Sequence, residues 1–439
     1  MPTLIALRKQ PRLFDLPATQ SITTTREKRL KLIGHANLNT TQRTDKLEEE
    51  GFTWRTLLNK LTFKLLGHDN GDEPTFDRLG YIGAYVINVT DEQEIRIAQE
   101  SFSNDYYLLP NITLTLPAPP LPATQATYLD LAERPEWPSA SGVVEAHRLG
   151  VLGSGVRVGV LDTGCDADHA QFRDKRIEFL QPTSGIAGAA SQNRVRRRAF
   201  DSDADGHGTH VCGIIAGEET GVAPAVDLMV AGVVSSTYQT TLQHIVIALD
   251  WMLSRFAEEK NLETPTIINM SLGFNPAALE QAQELSSLSL AMRSMLATLF
   301  YDFDVLPVVA VGNEGAGKLL APGYFEEVLS VGAVDYRLKS AAFSGSGVAQ
   351  DTGDEKPDIV GYGVDVYSSL LRDPDGNSIY GTKNGTSMAA PYVTGIAALY
   401  ASRDPKLQGE ALRQKLVQTA LPIKEKPLRV GAGLARFVP

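Results

Sequence analysis

The sequence predicts an α/β fold: a mostly parallel central sheet with helices on both faces, preceded by a small α+β module. Three observations predict it. From residue 140 to 439, short apolar runs alternate with longer helical stretches, as in a parallel sheet whose crossovers cover both faces. A β-α-β pattern occupies 76–118. Between the two, Pro117-Ala118-Pro119-Pro120-Leu121-Pro122 reads as a stiff, extended linker.

Residues 1–75 form an N-terminal extension without a catalytic motif. Stretches 27–33 and 54–66 mix apolar and basic residues as helices do, and Asn70-Gly71 marks a turn within 69–72. β-Branched and aromatic residues at 81–89 predict a strand. Asp91, with Glu94 three residues on, predicts a capping box that opens a helix over 91–102. A second strand is predicted at 112–116, and the linker region runs over 119–139. Within 140–439, strands are predicted at 156–161, 227–234, 266–270, 305–311, 328–334 and 364–368. Helices are predicted at 207–216, 242–256, 277–300 and 387–400. In such sheets ligands bind beyond the carboxyl ends of the strands.

Composition excludes several function classes. A net charge of −11 argues against nucleic-acid partners. No apolar run is long enough to span a membrane. The start of the chain is broken by Arg8, Lys9, Pro11, Arg12 and Asp15, so no secretory signal is read there. Cys165 and Cys212 are the only cysteines, too few for a disulfide scaffold. These features predict a cytoplasmic protein, with secretion by another route as the alternative.

The chemistry-bearing residues sit just after the predicted strands. Asp162 ends the run 156–161, in Asp162-Thr163-Gly164; a carboxylate there is costly to bury unless it accepts hydrogen bonds. His207 lies in Asp205-Gly206-His207-Gly208-Thr209-His210, where flanking glycines leave its ring accessible for proton transfer. Asn313 follows the run 305–311, and its amide could donate to an oxyanion. Ser387 lies in Asn384-Gly385-Thr386-Ser387-Met388-Ala389-Ala390-Pro391, at the predicted start of a helix whose free N–H groups and dipole favour negative charge. Pro391 is expected within that helix's first turn.

Each residue taken alone has a plainer reading: an Asx-turn at Asp162, a turn asparagine at Asn313, an N-cap at Ser387. Together they are more telling. Asp…His…Ser, with an asparagine between His and Ser, is one of three chain orders known for the same triad geometry. His210 reads as a structural histidine, since a third metal ligand is lacking. Asp201-Ser202-Asp203-Ala204-Asp205-Gly206 starts like a calcium loop but has Cys212 where a glutamate is needed. Gly153-Ser154-Gly155 precedes its strand, which excludes a dinucleotide loop. No cofactor and no metal is called for.

Residues from about 140 to 436 resemble the subtilisin-like serine peptidases. The resemblance rests on Val160-Leu161-Asp162-Thr163-Gly164, His207-Gly208-Thr209-His210-Val211 and Gly221-Val222-Ala223-Pro224. It extends through Asn269-Met270-Ser271-Leu272-Gly273, Gly312-Asn313-Glu314-Gly315 and Gly385-Thr386-Ser387-Met388-Ala389-Ala390-Pro391. It implies a subtilisin-like fold, Asp162, His207 and Ser387 as the triad, and Asn313 as oxyanion donor. It implies that Ser271, Leu272 and Gly273 form one wall of the substrate cleft and Ala310, Val311 and Gly312 the other. It also implies a cis bond at Ala321-Pro322. The module at 76–118 resembles the family's inhibitory propeptide, which implies a cut between about 114 and 136.

Several positions depart from the family. The segment between His207 and Gly221 lacks the loop that holds a tight calcium ion, so no calcium is expected there. Gly361-Tyr362-Gly363 replaces the usual Ala-Pro-Gly, and Phe274 is expected to narrow the cleft. Residues 279–300 look like a longer helical insertion. Arg194-Val195-Arg196-Arg197-Arg198 reads as a solvated loop, or else as a processing or docking site. Cys165 and Cys212 read as packing residues, with reaction toward thiol reagents as the alternative.

The expected function is a serine endopeptidase made as a self-inhibited zymogen and acting on protein or peptide substrates. Two alternatives remain. In one, residues 1–118 stay attached and dock a regulatory protein partner. In the other, the acyl-enzyme passes to an amine, giving a transpeptidase or macrocyclase.

Overall fold

The computed structural model describes residues 3–9, 24–36, 76–88, 98, 106–115, 124–125, 136–182, 198–274 and 285–439. The expected helix at 54–66, the turn at 69–72, the linker 117–122 and the basic run 194–197 lie outside them. So does the expected helix at 91–102, apart from Ala98, and so do residues 277–284.

A seven-stranded sheet forms the centre. Across it the strands run Ile359–Tyr362, Leu329–Val334, Leu306–Ala310, Thr266–Met270, Arg157–Asp162, Asp227–Gly232 and Glu178–Leu180. Every neighbouring pair is parallel. Successive residues of a strand face opposite sides, and Arg157–Asp162 uses both. Val158 and Val160 pack with Val211, Ile214 and Ala389 on one face. Leu161 packs with Leu249 and Met252 on the other. That two-sided burial explains why the strands read as unbroken apolar runs.

The helices His207–Ala216 and Thr386–Arg403 cover the first face; Leu242–Phe256 and Leu285–Ala297 cover the second. Among the described residues, no helix is long and apolar enough to cross a membrane.

Three expectations need correction. The strand expected at 364–368 is Val366–Ser369, and it lies outside the main sheet. It pairs antiparallel with Tyr380–Lys383, which pairs in turn with Thr124–Gln125. The main sheet's edge strand is instead Ile359–Tyr362. The strand expected at 112–116 is Thr113–Thr115, paired antiparallel with Gln239–Thr241, outside the small module. Finally, the boundary expected at residue 75 cuts through one sheet. Thr3–Arg8 lies between Ala84–Asn88 and Tyr106–Pro110, antiparallel to both, with Phe76–Leu79 on the outer edge.

That four-stranded sheet rests on the helices covering the central sheet. Ile5, Leu7, Val86 and Leu109 pack among Trp251 of one covering helix and Leu288 and Met292 of the other. Asp250 accepts from the backbone N–H groups of Tyr81 (2.8 Å) and Ile82 (3.2 Å). Asn111 and Gln243 exchange two hydrogen bonds of 3.0 Å at the start of the helix Leu242–Phe256.

Candidate active site

Four segments bring the candidate residues to the carboxyl ends of the central strands. Asp162 is the last residue of Arg157–Asp162 and is 2% exposed. Its Oδ1 accepts from Thr163 N (2.7 Å), from Thr163 Oγ1 (3.3 Å) and from His207 Nδ1 (2.7 Å). Donation from Nδ1 leaves Nε2 of the neutral ring as an acceptor. Burial pushes the His207 pKa down. The Asp162 charge and hydrogen bond outweigh it, and the value ends above the ordinary 6.5.

His207 opens its helix. The free N–H groups of that first turn are taken by Asp203 Oδ2 for His207 (3.1 Å), Thr163 Oγ1 for Gly208 (2.9 Å) and Asp201 Oδ2 for Thr209 (2.7 Å). A Cβ on Gly208 would collide with the carbonyl of Gly164, so only glycine lets helix and strand end approach this closely. His210 is fully buried, and its Nε2 bonds the carbonyl of Gly381 at 3.3 Å. Burial pushes its pKa well below the usual value, in keeping with a structural, neutral ring.

Ser387 is the second residue of the helix Thr386–Arg403. Its Oγ donates to the carbonyl of Ser271 at 3.3 Å, and Ser271 Oγ donates to the carbonyl of Ser387 at 2.9 Å. The second bond has a clear cause. Pro391 lies at the sixth helical position, beyond the expected first turn, and has no N–H for the carbonyl four residues back. That carbonyl belongs to Ser387, and Ser271 satisfies it. Asn269 steadies Ser271 (Nδ2 to Oγ, 3.0 Å) and accepts from Thr394 Oγ1 (3.1 Å).

Asn313 follows the strand Leu306–Ala310. Its Oδ1 accepts from the N and Oγ1 of Thr386, both at 2.9 Å. Two donors on one atom identify it as the oxygen and leave Nδ2 free to donate. A Cβ on Gly385 would lie 3.6 Å from both Asn313 Nδ2 and the Ser387 N–H. Two donors on different elements therefore border the same small volume, and a side chain there would crowd it. The Gly385 φ of 149° is also costly for other residues.

Asp162, His207, Asn313 and Ser387 line one cleft together with Ser271, Leu272, Gly273, Ala310 and Gly312. Val311 does not reach it. It is fully buried, its N–H bonded to Val331 O (3.0 Å) and its carbonyl to Leu320 N (3.1 Å). Phe274 does not narrow the cleft. It packs in the core and exchanges backbone bonds with Ala321. Leu320 takes that role instead: a Cβ on Gly312 would meet its Cγ at 2.5 Å, and one on Gly273 its Cβ at 3.0 Å. Sequence reasoning missed Leu320, as well as Val234, Tyr238 and Asn384 on the rim. Position after a strand end could have found Val234 and Asn384, which also opens the Ser387 motif; nothing local marks Leu320 or Tyr238.

The Ala321-Pro322 bond is cis, and so is Lys356-Pro357. Cys165 and Cys212 are fully buried, and burial pushes both thiols up, which leaves them poor nucleophiles. Arg198 of the basic run pairs with Asp168.

The Subtilase family profile matches residues 153–433. The chain is 39% identical over 389 residues to Subtilisin-like protease PopC of Myxococcus xanthus, a match that covers 85% of this chain and 79% of that protein. That span exceeds the stretch from 153 to the end of the chain, so it takes in part of the N-terminal region. Subtilisin DY of Bacillus licheniformis is 32% identical over 282 residues, 62% of this chain and 85% of that one. The Intracellular serine protease of Paenibacillus polymyxa is 33% identical over 299 residues, 64% of this chain and 79% of that one.

Proposed function

The chain belongs to the subtilase family and is a serine endopeptidase, and from that premise we propose that Ser387 cuts peptide bonds through an acyl-enzyme. His207 Nε2 takes the hydroxyl proton and returns it to the leaving amine. Asp162 holds the tautomer and stabilises the imidazolium. Asn313 Nδ2 and the Ser387 N–H receive the oxyanion. In the resting arrangement the Ser387 hydroxyl points to Ser271 O, so a turn about its Cα–Cβ bond precedes attack. The observation that carries the reading is the 2.7 Å bond from His207 Nδ1 to Asp162 in a cleft shared with Ser387 and Asn313.

Asn313→Asp tests the oxyanion role. The variant keeps the oxygen that accepts from Thr386 and loses the donor. A fall in kcat of about 10²–10³-fold with KM little changed is expected. An unchanged kcat would mean that Ser387 N–H suffices alone.

The substrate side chain before the scissile bond enters the recess between Gly273 and Gly312. Leu320 occupies its depth, so we expect a preference for small side chains there. In Leu320→Ala the preference for phenylalanine over alanine at that position rises by about 10- to 200-fold in kcat/KM. A peptide library cut with the parent's pattern would remove Leu320 from the recess.

We further propose that the protein is made as a zymogen. Thr113–Thr115 adds a strand to Gln239–Thr241, next to the cleft residue Tyr238. Thr124–Gln125 adds to Tyr380–Lys383, next to the cleft residue Asn384. These two strands therefore lie at two borders of the cleft, and the prolines at 117, 119, 120 and 122 in the sequence between them make that stretch a poor substrate. A cut that frees it is expected between about 114 and 136.

A further inference from the structure

The helix Thr25–Ala36 carries one residue that its polar sequence does not advertise. Arg29 is 0% exposed. Its Nε donates to the carbonyl of Phe303 (3.1 Å). Its Nη1 faces the carbonyls of Asn261 (2.9 Å), Leu262 (3.4 Å) and Thr264 (3.1 Å). Its Nη2 donates to Thr266 Oγ1 (2.7 Å) and Gln408 Oε1 (3.4 Å). Every acceptor belongs to the catalytic part, and none is a carboxylate. The carboxylate of Asp304, close by, is held by Thr25 Oγ1 (2.7 Å) and Lys28 Nζ (2.8 Å). Burial lowers the Arg29 pKa to about 10, so the guanidinium stays charged at neutral pH.

The socket lies at the amino end of the main sheet, where Thr266 begins its strand and Phe303 precedes another. The cleft lies at the carboxyl end. The N-terminal region therefore also grips the catalytic part at the end of the sheet away from the cleft. The acceptors also suit one chemistry. Several converging carbonyls match a planar fork of five N–H donors, not the point charge of a lysine. Without Arg29, the carbonyl of Asn261 keeps the Thr264 N–H (3.0 Å), while the others lose the guanidinium donor.

We propose that this carbonyl-lined socket is a guanidinium-binding site that retains the N-terminal region on the catalytic part after the chain between them is cut. The cut chain would then remain a two-piece complex, and activity would depend on how fast the Arg29 piece leaves. This rests on the zymogen reading above, in which the N-terminal region covers the cleft.

The test uses the full chain carrying Ser387→Ala, with the recognition sequence of a site-specific protease placed within 126–135. After that protease has acted, dissociation of the N-terminal piece is followed by gel filtration and surface plasmon resonance. The parent piece is expected to co-elute with the catalytic part. With Arg29→Ala it leaves at least 100-fold faster, and with Arg29→Lys at least 10-fold faster. Thr266→Val removes one acceptor from the opposite side, with no change to the departing piece, and also speeds release. Equal dissociation rates in the parent, Arg29→Lys and Thr266→Val overturn the proposal even where Arg29→Ala does not fold. The same cut in the Ser387 protein separates the two readings. A retained piece that leaves peptide hydrolysis at full rate sinks the zymogen reading and spares the socket. Rapid loss of the piece with Arg29 intact sinks the socket and spares the zymogen.

Discussion

Ser387→Ala is expected to lower kcat on the order of 10⁶-fold and to leave the purified chain at its full length. Both outcomes follow from one atom. Ser387 Oγ is the proposed nucleophile, and the substitution removes it without disturbing its surroundings. The backbone N–H of residue 387 still faces the oxyanion volume. The Ser271 hydroxyl still donates to the carbonyl of residue 387, since that bond involves no side-chain atom of Ser387. The variant should therefore fold and bind peptides. A fluorophosphonate probe should label the processed parent and fail to label the variant. Casein hydrolysis at the parent rate by the alanine variant would remove Ser387 from the chemistry. Mass spectrometry of the same samples also tests self-processing. If the variant loses its N-terminal region as the parent does, another protease makes the cut.

Asp162→Asn should cost about 10⁴-fold in kcat. The parent carboxylate accepts three hydrogen bonds on Oδ1, from His207 and twice from Thr163. Asparagine keeps the size but presents donors on one end. With its oxygen in the Oδ1 place it keeps the bonds from Thr163 and His207 but lacks the charge that stabilises the imidazolium; with its NH₂ there it favours the tautomer protonated on Nε2. That ring cannot accept the Ser387 proton. The pH profile provides a second readout. In the parent, Asp162 raises the His207 pKa against the opposite pull of burial. The base works only when neutral, so activity falls as pH drops through this raised value. In the variant the raising charge is gone, and the acid limb of kcat/KM should move to lower pH. An unmoved limb would assign the limb to another group.

Much of the catalytic part was legible because its signals are local. The central strands are buried on both faces and read as apolar runs. Gly208, and the glycine before Thr386, answer steric demands visible in the motif itself. What escaped depends on distant partners. Thr3–Arg8 is a short apolar segment whose two neighbours start at Ala84 and Tyr106, so nothing near it announces a sheet. Ile359–Tyr362 is a short run interrupted by a glycine and is not among the expected strands, yet it forms the sheet edge. Leu320 looked like one more apolar residue before Ala321-Pro322. Only the fold sets it between two glycine-bearing segments. Val311 sits between two cleft residues in sequence and is itself fully buried. Arg29 was hidden for a different reason. Helix amphipathicity is read from apolar residues, and Arg29 is a buried charge.

The bond from Ser271 to the carbonyl of Ser387 has a consequence for how the cleft holds its shape. A proline has removed one rung from the helix that carries the proposed nucleophile, and Ser271, just after the strand Thr266–Met270, supplies the replacement. The two halves of the cleft are thereby indexed to each other at the point of reaction. Any drift of the substrate-side strand would pull on the start of the helix, and the helix could not rewind to escape it. The missing rung works as a mechanical coupling, and together with the bond from Thr394 to Asn269 it ties the start of the helix to the facing cleft wall.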